Sequence, residues 1–231
     1  MIFVTGDTHR TIDIAKIDLA HFPEQEKLTR DDYLIIAGDF GGIWTGGSGD
    51  NDILDYHNKK KYTTLFVAGN HENYNALETY EPEIWNGGYV RRIRKNVMQL
   101  MNGQVFEING KVIFTMGGAT SIDKEFRVED ESWWAHEEPS EGEFEAAWQN
   151  LSRYDNRVDC IVTHTIPEVV RKSAFRRLPG MHEYESGVEK FLNQVLKEVK
   201  FDMWYAGHLH MDKLLPEYGL KLLYNSVTVM R

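Results

Sequence analysis

The sequence predicts an α/β sandwich in which helices cover the outside of a core of strands. Short apolar runs alternate along the chain with polar stretches that are compatible with helices, and this alternation is typical of α/β folds. With 231 residues, 42% of them hydrophobic, the chain can bury one large core. It contains no internal repeat, low-complexity tract or linker rich in proline or serine. We therefore expect one domain over residues 1–231.

Six apolar runs predict short buried strands, and the polar stretches between them predict helices. The strands are expected at 1–7, 33–39, 64–70, 111–118, 159–165 and 201–208. The helices are expected at 51–61, 73–79, 142–154 and 186–199. In the last of these, Val188, Leu192 and Val195 recur at helical spacing, and Ser186 is a suitable N-cap.

Two segments differ from this alternation and predict antiparallel hairpins. Residues 97–114 contain Asn-Gly at 102–103 and again at 109–110, and this dipeptide favours tight hairpin turns. The tail at 213–230 has a similar pattern of short apolar runs. We expect each segment to form a meander of neighbouring strands.

The composition excludes several classes of partner and site. A net charge of −10 repels nucleic-acid backbones and anionic membranes, so we expect neither a nucleic-acid polymer nor a membrane as partner. Cys160 is the only cysteine, which excludes an internal disulfide and a thiolate metal cluster, and we expect it in the core. The N-terminus lacks the apolar region of a signal peptide, and no segment is long enough to span a membrane. We expect a cytoplasmic protein, and the sequence leaves its oligomeric state open.

Polar clusters follow five of the predicted strands. They are Gly-Asp-Thr-His at 6–9, Gly-Asp at 38–39, Gly-Asn-His-Glu at 69–72, Thr-His at 163–164 and Gly-His-Leu-His at 207–210. Ligands bind at the carboxyl ends of strands in α/β sheets, so we expect the five clusters to converge. A glycine before four of them would let the backbone turn sharply or approach closely.

The converging side chains are suited to metal ions. Seven nitrogen and oxygen donors exceed the needs of one ion and fit two ions that share a bridging carboxylate. The donors are Asp7, His9, Asp39, Asn70, His164, His208 and His210. A donor set without sulfur and with four imidazoles suits Mn, Fe, Co, Ni or Zn better than Mg. We favour Mn or Fe.

The order of these motifs resembles the calcineurin-like metallophosphoesterase superfamily. Asp-x-His, Gly-Asp, Gly-Asn-His-Glu, a His at a strand end and Gly-His-x-His follow one another over residues 5–210. Each motif is weak by itself, but five in this order at suitable strand ends are highly specific. The resemblance implies a four-layer α-β-β-α sandwich of two mixed sheets flanked by helices. It also implies a metal-dependent phosphoester hydrolase.

Carried over residue by residue, the resemblance implies a role for each donor. One metal would be bound by Asp7, His9 and His210, the other by Asn70, His164 and His208, with Asp39 as the bridge. His71 would lie over the site as the general acid or a phosphate-stabilising group, and the alternative is a supporting or surface histidine. Two divalent ions lower the pKa of a bridging water, which creates a hydroxide for in-line attack at phosphorus. The leaving oxygen then needs a proton.

Departures from the superfamily pattern bear on the substrate. In the protein-phosphatase branch the second motif continues to Asp-Arg, which clamps a phosphomonoester, whereas here Asp39 is followed by Phe40-Gly41-Gly42. The glycine-rich stretch 38–50 lacks the Gly-Lys-Ser/Thr ending of a phosphate-binding loop, so we expect a flexible active-site loop. Trp44 within it could stack on a base or pin the loop to the core.

An acidic insert lies at about 121–143, between a predicted strand and the next helix. It could pack against the sandwich through Trp133 and Trp134, or form a lid whose aromatics flank the substrate while Arg127 contacts the phosphate. Eight of its acidic residues would repel long polyanions; they are Asp123, Glu125, Glu129, Asp130, Glu131, Glu137, Glu138 and Glu141. We therefore expect a small phosphodiester or nucleotide-like ester as substrate. The alternatives are a phosphomonoester or phosphoprotein, and a binding module without catalysis.

Other charged residues match no motif. The basic runs at 91–95 and 171–177 predict solvated faces. Four histidines outside the motifs are expected at the surface or beside the site: His21, His57, His136 and His182. Of these, we expect His136 and His182 nearest the cleft.

Overall fold

Two mixed β-sheets lie face to face in the computed structural model, which describes residues 1–176 and 184–231. The strands of this part of the chain are β1 (Ile2–Thr5), β2 (Tyr33–Ala37), β3 (Thr63–Val67), β4 (Pro82–Trp85), β5 (Gly88–Arg94), β6 (Val97–Leu100), β7 (Gln104–Ile108), β8 (Lys111–Met116), β9 (Cys160–Thr163), β10 (Met203–Ala206), β11 (Lys213–Leu215), β12 (Leu220–Leu222) and β13 (Thr228–Val229). The α-helices are α1 (Asn51–Asn58), α2 (Tyr74–Leu77), α3 (Glu141–Ser152), α4 (Glu168–Ala174) and α5 (Gly187–Glu198). All six predicted strands are present, as β1, β2, β3, β8, β9 and β10.

Parallel strands form the centre of each sheet. The seven-stranded sheet has the order β13-β1-β2-β3-β6-β5-β4, and the six-stranded sheet has the order β11-β12-β10-β9-β8-β7. Strands β1, β2, β3 and β6 run parallel in the first sheet, as do β8, β9, β10 and β12 in the second. Thr5 pairs with Ile36, and Thr163 pairs with Ala206. Neighbouring strands therefore end level, and the loops that follow them start at a common edge.

Packed clusters of apolar side chains confirm the predicted four-layer sandwich. The facing surfaces of the two sheets meet in one cluster that includes the buried Val4, Ile35 and Cys160. Helices α3, α4 and α5 pack on the outer face of the six-stranded sheet. Helices α1 and α2 pack on the outer face of the seven-stranded sheet. The layers therefore run helix, sheet, sheet, helix, and Cys160 lies in the core as expected.

Two helices on the six-stranded sheet begin at serine caps. Ser140 forms a capping box with Glu143: its hydroxyl accepts from the Glu143 N–H, and the Glu143 carboxylate accepts from the Ser140 N–H at 2.9 Å. Ser186 caps α5, as predicted, by accepting from the N–H of Glu189 at 3.4 Å. The apolar stripe of α5, including Leu192, is buried against the sheet.

The prediction of two meanders is wrong for the pairing of some strands. Strand β7 pairs with β8 through the turn at 109–110, but β6 pairs with β3 and β5 in the other sheet. The Asn102-Gly103 turn thus carries the chain from one sheet to the other. Asn102 holds it there, because its Oδ1 accepts from the N–H of Gly117 at 2.9 Å and its Nδ2 donates to Glu143 at 2.9 Å. The tail divides likewise: β11 and β12 form a hairpin, whereas β13 pairs with β1.

Several elements have no counterpart in the sequence prediction. Strands β4 and β5 form an antiparallel hairpin, and the basic run 91–95 lies mostly in β5, where Ile93 is buried. Helix α4 contains Arg171, which is fully buried and pairs with Glu189 at 2.7 Å. The expectation of a solvated face at 171–177 is therefore wrong for Arg171. Within the described part of the chain, no helix is both long and apolar enough to cross a bilayer.

His57 lies in the core and not at the surface, contrary to expectation. Its ring on α1 packs edge-on to Phe40, with ring centroids 4.9 Å apart, and its side chain is fully buried. Its Nδ1 lies 3.3 Å from Thr64 Oγ1, while its Nε2 has no hydrogen-bond partner in the described residues. Burial lowers the pKa of His57 from 6.5 to about 3. The folded protein therefore holds this imidazole neutral.

We predict that His57 makes the folded state sensitive to mild acid. Because its folded pKa is lowered, its contribution to stability is complete above pH 6.5 and falls as the pH drops from 6.5 towards 3. For His57→Leu, the decline in unfolding free energy between about pH 6.5 and pH 5 should be smaller by about 2 kcal/mol. Urea unfolding with a chelator present measures this difference without a contribution from metal release. An equal decline in wild type and variant would contradict the prediction, and His21→Gln is the exposed control.

Candidate metal centre

Side chains from five strand ends meet at one edge of the sandwich. Asp7 follows β1 and Asp39 follows β2, and both are buried. His164, after β9, lies between them, with its Nδ1 3.4 Å from Asp7 Oδ1 and its Nε2 3.4 Å from Asp39 Oδ1. The backbone N–H of His208, after β10, donates to Asp7 Oδ1 at 3.0 Å. Asn70, after β3, places its Oδ1 3.1 Å from His164 Nε2.

Asp39 is common to every close group of ligands at this edge. Three groups have one ligand atom per residue within 4.8 Å of one another. They are Asp39 with His164 and His208, Asp39 with Asp7 and His210, and Asp39 with His9 and His71. The first group contains two of the three ligands expected for one ion besides Asp39, and the second contains two of the three expected for the other. The third group joins His9 to His71 at the same carboxylate. Among the described residues, Asp39 is thus the one that all three groups share.

An unsatisfied oxygen shows that this pocket fits a cation. Asp39 is 1% exposed, and its Oδ2 has no hydrogen-bond partner among the described residues. His9 Nε2 lies 3.2 Å from that oxygen. Burying a carboxylate oxygen without a hydrogen bond is costly, and a divalent ion would satisfy it. The donors are imidazole, carboxylate and amide groups, a set that binds transition metals.

Strained backbone marks the same residues. His9, Asp39, His208 and His210 all have positive φ angles, of 40°, 45°, 64° and 47°. Such values are unfavourable for residues with a side chain and cluster at functional sites. Four of the seven predicted ligands thus adopt conformations that only the surrounding packing can maintain.

Two of the glycines before the ligands are needed for close approach, as predicted. A Cβ on Gly38, which has a φ of +92°, would lie 1.9 Å from Nδ1 of His164. A Cβ on Gly69 would lie 2.1 Å from Oδ1 of Asp39. Both positions therefore exclude any side chain, because it would displace a ligand.

The charges of the ligands are strongly coupled. Burial raises the pKa of Asp7 to about 6. Burial lowers the pKa of His164, but the neighbouring Asp39 and Asp7 carboxylates outweigh it and raise the value to about 9. Burial and the nearby His164 lower the pKa of His208 to about 3, so His208 is neutral and able to ligate. Metal binding at His164 therefore competes with a proton.

Outer hydrogen bonds orient two of the imidazoles. His9 Nδ1 lies 2.7 Å from Asp13 Oδ2, and Asp13 Oδ1 accepts from the Tyr224 hydroxyl at 2.9 Å. His164 Nδ1 donates to the carbonyl of Ala37 at 3.0 Å. In both rings Nε2 is left to face the metal pocket, which is the usual arrangement for histidine ligands. Sequence analysis missed Asp13, although its spacing of four residues from His9 was a usable signal.

The acidic insert orients the amide ligand. Asn70 Nδ2 donates to Ser121 Oγ at 3.1 Å, and Ser121 Oγ donates to Glu137 Oε2 at 2.6 Å. This chain turns Asn70 Oδ1 towards the other ligands. Glu137 is 2% exposed. The expectation that it adds surface charge against polyanions is therefore wrong, because its carboxylate faces inward.

Arg127 lies beside the candidate metal centre. It lines a cavity of about 340 Å³ together with His71 and several of the predicted metal ligands. We name this space the Arg127 cavity. Arg127 Nη1 lies 3.4 Å from His71 Nδ1, while Nε and Nη2 donate to the Asp123 carboxylate at 2.9 and 2.7 Å. Tyr184, which sequence analysis also missed, lines the same cavity and donates to Glu189 at 3.0 Å.

The two neighbouring tryptophans do not line the Arg127 cavity. Trp134 is 2% exposed and packs in the core with α1 and α2, so a substrate contact for this residue is wrong. Trp133 is half-buried, with Lys124 Nζ 5.5 Å from its ring centroid. Of the three residues expected in a lid, Arg127, Trp133 and Trp134, only Arg127 lines this cavity with the metal ligands.

The glycine-rich loop after β2 is tied down, which contradicts the expected flexibility. Asp50 Oδ2 accepts the N–H groups of Trp44, Thr45 and Gly46, each at 3.0 Å. Asp50 Oδ1 accepts from Arg10 Nη1 at 2.8 Å. The backbone donors that could have held a phosphate are thus occupied by the protein's own carboxylate. Trp44 is half-buried, and its ring packs edge-on against Trp134 with ring centroids 5.3 Å apart. Trp44 therefore pins the loop to the core, one of the two roles expected for it.

A comparison with family models agrees with this geometry. The model of the calcineurin-like phosphoesterases matches residues 1–212. The chain belongs to this family.

Individual relatives of this phosphoesterase are distant. A lariat debranching enzyme from Entamoeba histolytica is 29% identical over 177 residues, which cover 69% of this chain but 46% of that protein. The phosphopantetheinyl hydrolase of Mycobacterium tuberculosis aligns with a TM-score of 0.42 at 17% identity, over 98% of this chain and 89% of that one. A protein of unknown function from Aquifex aeolicus aligns with a TM-score of 0.41 at 14% identity, over 99% of this chain and 94% of that one. The phosphoesterase thus spans less than half the length of the curated relative.

The histidines outside the motifs lie away from the metal ligands where they are described. His136 is exposed, pairs with Glu78 at 2.8 Å and lines a separate cavity. It therefore does not lie at the cleft as expected. His182 lies outside the described residues. His21 is exposed and pairs with Asp18 at 2.9 Å.

We predict that Asp13→Ala weakens metal binding by roughly 10- to 100-fold, the usual effect of removing a carboxylate that orients a histidine ligand. Titration with Mn against a competing chelator measures this affinity. Asp18→Ala is the matched control, because Asp18 also pairs with a histidine but lies on the surface. If both variants bind Mn as the wild type does, Asp13 has no role in orienting His9.

Proposed function

We propose that this phosphoesterase hydrolyses small phosphodiesters with the help of two divalent ions. The observation that carries the proposal is the position of Asp39, which belongs to each of the three ligand groups and has one buried oxygen without a hydrogen-bond partner among the described residues. One ion would be held by Asp7, His9, His210 and Asp39, and the other by Asn70, His164, His208 and Asp39. Mn or Fe is favoured by the four imidazoles, with Zn, Ni or Co as alternatives.

When bound, the two ions would neutralise charge on the phosphate and lower the pKa of an attacking water. The chain itself supplies the group for the leaving oxygen. Arg127 Nη1 lies 3.4 Å from Nδ1 of His71, so Nε2 is the ring nitrogen left to face a substrate. When the ring is protonated, His71 Nε2 would supply the proton that the leaving oxygen requires.

The charge balance of the Arg127 cavity favours a diester. Arg127 is the only lysine or arginine among its described lining residues, and its guanidinium already pairs with Asp123. A phosphomonoester with two negative charges has no free cation from the protein here, whereas a diester carries only one charge. The exposed acidic residues Glu125, Glu129 and Glu131 on the insert disfavour long polyanions.

A substrate profile tests the proposal. The protein is treated with a chelator, reconstituted with Mn and assayed with bis(p-nitrophenyl) phosphate, p-nitrophenyl phosphate, a phosphoprotein and a lariat oligonucleotide. We expect activity to require the metal and kcat/KM to be at least about 10-fold higher for the small diester. Full activity without metal would overturn the two-ion mechanism. Preference for the monoester would overturn the diester assignment, and preference for the lariat would assign the activity named for the Entamoeba relative.

We predict that His71→Ala keeps both metals but loses roughly 10²- to 10⁴-fold in kcat, the range typical of a lost proton donor. The loss should be smaller for p-nitrophenolate, which leaves without a proton, than for an alkoxide. Metal content and kcat for both classes of leaving group are measured, with His136→Ala as the exposed control. Equal losses for both classes would instead assign His71 to positioning the phosphate.

A further inference from the structure

A second cavity adjoins the metal centre on another side of His71. Its volume is also about 340 Å³, and we name it the Trp44 cavity. It shares only His71 with the Arg127 cavity. Its lining residues are His9, Arg10, Thr11, Ile12, Gly41, Trp44 and His71. The metal ligands thus have a separate space on each of two sides.

The Trp44 cavity suits a flat apolar group. Trp44 lines it, and Ile12 next to it is 81% exposed. Arg10 adds little free charge, because its guanidinium pairs with Asp50 at 2.8 Å and also donates to the carbonyl of Gly49. An aromatic ring beside an aliphatic side chain is a surface on which nucleobases and other aromatic groups stack.

Trp44 is held in place before any ligand arrives. Its backbone N–H donates to Asp50, its carbonyl accepts from Asn73 Nδ2 at 2.7 Å, and its ring meets Trp134 edge-on. A fixed ring loses little conformational entropy on binding. The loop is therefore arranged as a binding surface.

The orientation of His71 decides which ester arm would occupy this cavity. Its Nδ1 faces Arg127, so its Nε2 is directed away from Arg127. A diester has two arms, and the arm that leaves must have its oxygen near Nε2. The Trp44 cavity is the adjoining space that does not contain Arg127.

We propose that the Trp44 cavity binds the leaving alcohol of the diester and selects an aromatic group, such as a nucleoside, on that arm. The inference rests on the proposed function. In the reaction a water oxygen bonds to phosphorus and its proton passes to solvent, while the bond from phosphorus to the leaving oxygen breaks. The leaving oxygen takes the Nε2 proton of the protonated His71 ring, which becomes the neutral imidazole and is reprotonated from solvent. The other arm stays on the phosphate in the Arg127 cavity.

The methyl ester of thymidine 5′-phosphate tests this assignment with the Mn-loaded enzyme. Its two leaving groups are both alkoxides, so the products report which arm lies beside His71. We expect thymidine and methyl phosphate, because the base directs thymidine into the Trp44 cavity. Methanol and thymidine monophosphate as the main products would overturn the inference while leaving the diesterase function intact. Failure to cleave this or any other diester would overturn the proposed function, and the inference with it.

Variants at Trp44 separate stacking from folding. Trp44→Leu, which keeps apolar packing on Trp134, should raise KM for this ester by roughly 5- to 150-fold, the range expected for a lost base stack, and reduce the preference for thymidine release. Trp44→Phe should restore much of the low KM and much of the preference for thymidine release. Thymidine binding by calorimetry gives a second readout independent of turnover. Trp133→Ala is the matched control, since Trp133 lines neither cavity. An unchanged product ratio and unchanged thymidine affinity in Trp44→Leu would overturn the inference.

Discussion

The buried carboxylate of Asp39 is the constraint on which the rest of the site depends. Its Oδ1 accepts the N–H of His71 at 2.8 Å, and its Oδ2 lies 3.2 Å from His9. Burial raises its pKa, but the neighbouring imidazoles, His164 first, lower the value well below the ordinary one. One charged group thus aligns loops from both sheets. Because it is buried and ionised, each loop around it must present a donor or make room for a cation.

The loops around Asp39 are stabilised by the protein's own carboxylates. Glu72 is fully buried and accepts the N–H groups of Phe40 at 2.7 Å and Gly41 at 3.2 Å. Asp50 does the same for the three residues that begin at Trp44. These carboxylates occupy backbone donors that would otherwise attract phosphate. The substrate phosphate is therefore left to the metal pocket, and Trp44 is held beside it.

The acidic insert contributes to the site through individual side chains and not through its overall charge. Glu137 turns inward and orients Asn70 through Ser121. Arg127 reaches His71 and is balanced by Asp123. Glu138 ties the insert to α5 by accepting from Ser186 at 2.8 Å. A segment that looks like a solvated acidic loop thus supports one metal ligand and one catalytic group.

The sequence alone was sufficient for the positions of the six predicted strands and for the convergence of the donors, because the donors follow the ends of strands and parallel strands end at a common edge. The site roles drawn from the resemblance to the family remain predictions. Only the tertiary structure decided that β6 and β7 belong to different sheets, that Trp134 is buried, and that Asp13 and Glu137 orient ligands. These features depend on contacts such as that of Glu137 with Ser121, or on the sheet that a strand joins after a turn. Local sequence patterns specify neither, because both are settled by which surfaces meet when the two sheets pack.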